Sequence, residues 1–146
     1  MSTLRPILLA EDNPNDVELA LSALQSLNIA NEIVVVHDGA QALDFIYRRN
    51  QFASRPDLLP AVVLLDLKMP RVDGLETLKL IRNDPSIATL PIVILTSSRE
   101  ESDLVKGYKL GANAYVVKPV DFDQFIGAVT KLGVFWALVN EPPPTS

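Results

Sequence analysis

The sequence predicts an α/β fold: a doubly wound, five-stranded parallel sheet covered by five helices in a three-layer sandwich. Five short apolar runs recur along the chain, each continuous rather than alternating, and helix-period segments stand between them. A strand covered on both faces has no polar side, so unbroken hydrophobicity marks a parallel sheet. Right-handed crossovers then put helices on both faces.

The first run is Ile7-Leu8-Leu9-Ala10. Asn13-Pro14 reads as an N-cap followed by a first-turn proline, opening a helix whose inward residues are Val17, Ala20, Leu21, Leu24 and Leu27. After Ile33-Val34-Val35-Val36, Asp38 caps a second helix with Ala42, Leu43, Ile46 and Tyr47 on one face. The polar stretch from Arg49 to Pro60, with its two prolines, reads as a surface loop. Val62-Val63-Leu64-Leu65 is the third strand, and Asp73-Gly74 precede a helix carrying Leu75, Leu78 and Ile81. Ile92-Val93-Ile94-Leu95 leads to a shorter helix over 101–109 that ends near Gly111. Tyr115-Val116-Val117 leads to a last helix capped by Asp121, with Phe122, Phe125, Ile126, Val129 and Leu132 facing inward. Residues 1–140 are expected to form one domain, and the Pro-rich tail 141–146 to leave it extended.

Composition narrows the function. A chain of 146 residues with 48% hydrophobic content can bury one core. A net charge of −5 disfavours a surface for nucleic acid, which would need a basic stripe. The absence of cysteine excludes disulfides, thiolate metal sites and cysteine nucleophiles. No apolar run reaches the ~18 residues that span a bilayer, and the N-terminal apolar stretch is too short for a signal peptide, so the cytoplasm is expected.

The polar residues at the strand ends carry the chemistry. Glu11 and Asp12 end strand one, Asp66 strand three, Thr96 strand four and Lys118 strand five. Ligands of open α/β sheets bind at these carboxyl ends. Three carboxylates held close repel one another unless a cation sits among them, and hard oxygen donors point to Mg²⁺ rather than zinc. A carboxylate is a competent nucleophile toward phosphorus. A metal, a lysine and a hydroxyl supply the positioning and charge neutralisation that phosphoryl transfer needs.

The segments Leu9-Ala10-Glu11-Asp12-Asn13, Leu64-Leu65-Asp66-Leu67-Lys68-Met69-Pro70, Val72-Asp73-Gly74, Leu95-Thr96-Ser97 and Tyr115-Val116-Val117-Lys118-Pro119 together resemble the motif set of response-regulator receiver domains, the CheY-like family. The resemblance implies the flavodoxin-like strand order 2-1-3-4-5. It implies that Asp66 is the phosphoacceptor and that Asp12, Asp66 and the backbone carbonyl of Lys68 bind Mg²⁺, with Glu11 acting through water. It further implies that Thr96 is the switch hydroxyl, that Lys118 pairs with a phosphoryl oxygen before a cis bond to Pro119, and that Tyr115 swings inward with Thr96. Lys68 and Ser98, flanking the route of attacking water, would tune the lifetime of the phosphoryl group. The polar insertion before strand three, Phe135-Trp136 and the Pro-rich end resemble stand-alone regulators that serve bacterial phytochromes and related sensor kinases. The implied partners are such a sensor histidine kinase, a phosphotransfer protein, and a second copy docking through the α4–β5–α5 face (fourth helix, fifth strand, fifth helix) and the Phe135/Trp136 region. No room is expected after residue 120 for a DNA-binding domain, so output is expected to be protein contact.

Blander readings exist for single residues. Asp66 alone could cap a turn, Thr96 could satisfy backbone groups, and Tyr115 could pack at the sheet edge as readily as switch. His37 reads as a surface residue at a strand end. Phe135 and Trp136 could cover the core. Two rival functions remain: a haloacid-dehalogenase-type phosphatase, disfavoured because Lys68 stands where a second aspartate is expected, and a phosphorylation-independent scaffold.

Overall fold

The computed structural model describes residues 5–26, 31–56, 58–67, 69, 71–96, 109, 111–118, 123–124 and 126–128. Its elements are β1 (Ile7–Ala10), α1 (Pro14–Gln25), β2 (Ile33–Val36), α2 (Gly39–Tyr47), a short 3₁₀ turn (Asn50–Phe52), β3 (Val62–Asp66), α3 (Gly74–Arg82), β4 (Ile92–Thr96) and β5 (Ala114–Val117). All strand pairs are parallel, and the sheet order is β2-β1-β3-β4-β5. The doubly wound fold and its strand order are therefore as anticipated. Of the fourth and fifth helices, Lys109 and Asp123, Gln124, Ile126, Gly127 and Ala128 are helical. Asp121, Phe122 and Phe125 lie outside the described residues.

Alternation along each strand divides the core into two layers. Ile7, Leu9, Val62, Leu64, Val93, Leu95, Ala114 and Val116 pack with Ala20, Ala23 and Leu24 of α1 and with Ala128. Leu8, Ala10, Val63, Leu65, Ile92 and Ile94 pack with α2 and α3 on the other face. Central strands β1, β3 and β4 are buried throughout. The edge strands differ from the sequence reading. Most of β2 is half-buried, and in β5 Tyr115 is 40% exposed, because each has a neighbour on one side only.

The helices start where their caps place them. The Asn13 carboxamide oxygen accepts from Asn15 N and Asp16 N, Asp38 from Gln41 N, and Asp73 from Glu76 N. Each satisfies donors that a helix start leaves unpaired. One face was misjudged. Phe45, not Tyr47, points into the core of α2, since 42, 45 and 46 form one helical stripe and 47 falls off it. The Tyr47 hydroxyl instead bonds the Asp84 carboxylate.

The segment 49–60 is not a plain polar loop. Phe52 stacks edge-on against Phe45 with ring centroids 5.1 Å apart, and Pro60 is buried. Arg55 donates to the carbonyls of Phe45, Pro56 and Leu58 at 2.7–2.9 Å, which ties the segment to the last turn of α2. Among the described residues, no helix is long and apolar enough to cross a membrane.

Candidate functional site

Strand register builds the site. Ala10 pairs with Leu65, so Glu11 comes level with Asp66, and Asp66 pairs with Leu95, so Thr96 lies one residue further along the adjacent strand. Thr96 pairs with Val117, and Lys118 N donates to the Thr96 carbonyl at 2.7 Å. Because every strand is parallel, these ends share one rim of the sheet.

At that rim, one carboxylate oxygen from each of Glu11, Asp12 and Asp66 lies within 4.8 Å of the others. Glu11 and Asp66 are buried, and Asp12 is exposed. The Lys118 ammonium reaches in from β5. Its Nζ stands 3.0 Å from Glu11 Oε2, 3.0 Å from Asp16 Oδ2 and 3.3 Å from Asp66 Oδ1. Glu11 Oε1 also accepts from Asn13 N at 3.2 Å, so the cap that starts α1 orients this carboxylate.

A single ammonium cannot neutralise four acids. Burial, then the charge of Asp66, pushes the Glu11 carboxyl up to about 7 against the opposing pull of Lys118. Burial works against the Lys118 ammonium, but its hydrogen bonds to Asp16 and Glu11 and the Asp66 charge outweigh it, and its pKa is pushed up to about 12. Glu11 Oε2 is buried without a hydrogen bond of good geometry among the described residues. Excess negative charge and hard oxygen donors fit a divalent cation such as Mg²⁺.

The raised Glu11 pKa has a defined sign. An unfolded chain loses this proton near its ordinary value of 4.5, whereas the folded chain holds it until about 7. Metal-free stability therefore declines as pH rises through that window, each unit of pKa difference being worth about 1.4 kcal/mol at most. Glu11→Gln is expected to flatten this decline and raise the Tm at about pH 8. Thermal melts in a chelator across the window check it, and a variant that melts with the wild-type pH profile rejects the account.

Of the residues singled out from sequence, Glu11, Asp12, Asp66 and Lys118 come together, and Thr96 is buried at the neighbouring strand end. Tyr115 lies on the exposed side of edge strand β5. His37 is exposed, with Nδ1 3.3 Å from the Glu11 carbonyl. Lys68, Ser98, Pro119, Phe135 and Trp136 lie outside the described residues. Two contributors were missed. Asp16 looks like an ordinary first-turn acid of α1, and its only sequence signal is its place one helical turn beyond Asp12. Arg71 grips Asp38 Oδ2 through Nε and a terminal nitrogen at 2.8 and 2.6 Å, tying the β3–α3 loop to the cap of α2. Nothing local in the sequence announces that pair.

The fold is that of a response-regulator receiver, and the comparison with known families agrees: the response regulator receiver domain matches residues 7–130, and the chain belongs to that family. Within it, the chain resembles bacteriophytochrome response regulators. RtBRR shares 56% identity at a TM-score of 0.87, covering 97% of this chain and 86% of that one. AtBRR shares 56% at 0.87, covering 96% and 100%. The response regulator Rcp1 of Synechocystis sp. is 32% identical over 130 residues, covering 89% of this chain and 87% of Rcp1. The crystal structure of the Mn(2+)-bound form of Rcp1 aligns at a TM-score of 0.75 with 31% identity, covering 96% of this chain and 99% of that one.

Proposed function

We propose that this chain is a single-domain response regulator that accepts a phosphoryl group on Asp66 from a histidine kinase of the phytochrome type. The observation that carries this reading is the gathering of Glu11, Asp12 and Asp66 within 4.8 Å, with the Lys118 ammonium 3.3 Å from Asp66. An Asp66 oxygen attacks the phosphorus of the kinase's phosphohistidine. The new O–P bond forms as the P–N bond breaks, and the electron pair leaves with the imidazole.

Asp12, Asp66 and the carbonyl of Lys68 would hold Mg²⁺ directly, with Glu11 acting through water. The bound ion would neutralise the charge that gathers on the phosphoryl oxygens. Lys118 donates to one of those oxygens, and the Thr96 hydroxyl moves toward another. Tyr115, on the exposed side of edge strand β5, follows into the space that Thr96 vacates. Lys68 and Ser98 set how readily water reaches the acyl phosphate. A local change of charge thereby alters the face around β5, and the signal leaves by protein contact with a partner, a second copy or a phosphotransfer protein.

Incubation with a small phosphodonor and Mg²⁺ tests the reading. One phosphoryl group per chain is expected by intact mass, labile to hydroxylamine as an acyl phosphate, and its formation should stop in excess chelator. Labelling indifferent to the chelator, or steady release of phosphate from simple esters, would count against it.

A further inference from the structure

Lys118 does not face the acceptor alone. Its Nζ donates to Asp16 Oδ2 at 3.0 Å and to Glu11 Oε1 at 3.1 Å, and stands 3.3 Å from Asp66 Oδ1. Glu11 belongs to the end of β1, Asp16 to the first turn of α1 and Asp66 to β3, so three separate elements converge on one ammonium that is only 10% exposed. An ammonium has three hydrogens. Glu11 and Asp16 engage two, which leaves one for the Asp66 side.

We infer that Asp16 is a positioning residue for phosphoryl transfer: with Glu11 it forms two legs of a tripod that fixes Lys118 Nζ beside the Asp66 carboxylate. The inference rests on the function proposed above. Free of Asp16, the four-carbon stem of Lys118 regains rotamers, and the ammonium must be reordered each time a phosphoryl oxygen arrives. Held by Asp16 and Glu11, it meets that oxygen with its remaining N–H and no change of partners. The simpler account is that Asp16 only favours the positive end of the α1 dipole, as acids in a first helical turn do. That account requires no contact with Lys118, and it predicts a change in stability alone.

Asp16→Asn keeps the shape and removes the charge. Its rate of phosphorylation by a small phosphodonor and Mg²⁺ is expected to fall by roughly tenfold, the scale of one charge-assisted hydrogen bond. Asp16→Glu should recover part of the loss. In a Lys118→Ala background the same substitution should change the rate no further, because the two residues act through one contact. An Asp16→Asn rate equal to or above that of the wild type overturns the inference, and so does an equal slowing with Lys118 present or absent. The Lys118 ammonium resonance gives an answer independent of phosphorylation. It should be protected from exchange in the wild type and lost in Asp16→Asn. Failure of the wild type to take up any phosphoryl group would sink the proposed function, and the resonance would still decide whether Asp16 holds the lysine.

Discussion

Asp66→Asn is expected to take up no phosphoryl group from either a small donor or a phosphorylated histidine kinase. The neutral amide lacks the negative oxygen that the proposed transfer requires, and the cluster loses one of its three converging carboxylates. The fold should tolerate the change. Asparagine fills the same space at the end of a buried strand, and the Asp66 charge is one of the causes that raise the Glu11 pKa, so removing it relieves repulsion. Circular dichroism and thermal melting should accordingly show a folded variant at least as stable as the wild type without metal, while intact mass shows no adduct. Labelling at the wild-type level would move the acceptor elsewhere, with exposed Asp12 the first alternative to map.

The second large effect concerns Gly74, at the start of α3. A Cβ there would lie 2.1 Å from the Asp66 carbonyl oxygen, 2.7 Å from Leu67 Cα and 2.9 Å from the Asp66 carbonyl carbon. All three are backbone atoms of β3 and the turn after it, so no side chain can rotate away. Gly74 N also donates to the Leu67 carbonyl at 2.9 Å, which fixes the close approach. Gly74→Ala must push α3 off the strand that carries Asp66. Overpacking of this kind costs about 1–3 kcal/mol or more, corresponding to a fall in Tm of about 5–10 °C for a chain of this size. Phosphorylation should drop as well, because the displaced atoms belong to Asp66 itself. Gly127 is the control: it is helical, a Cβ there would meet nothing within 4 Å among the described residues, and Gly127→Ala should stabilise by up to about 1 kcal/mol. Equal melting temperatures for the two variants would show that the approach at Gly74 is not rigid.

Local pattern made several features readable before any coordinates. The caps Asn13, Asp38 and Asp73 bond as their chemistry requires, since a capping side chain reaches only two or three residues ahead. Central strands were legible because burial on both faces leaves no polar position. The same reasoning overstated β2 and β5, where Ile, Val and Tyr are equally apolar but the sheet ends. Whether a strand is central or at an edge depends on pairing order rather than on its own composition. Tyr47 was placed inside for a similar reason: an aromatic residue near a helical stripe looks buried until the helix phase is fixed by what it packs on.

The sequence alone determined which residue types end each strand, and in a parallel sheet chain direction then sends Glu11, Asp66, Thr96 and Lys118 to a common rim. Only the tertiary structure decided how those residues share charge. The distance from Lys118 to Asp16, the burial that raises the Glu11 pKa, and the grip of Arg71 on Asp38 all join elements far apart in the chain. Coulomb energies and desolvation depend on separations of a few ångströms, and those are set by strand register and helix docking, which no local stretch of sequence encodes.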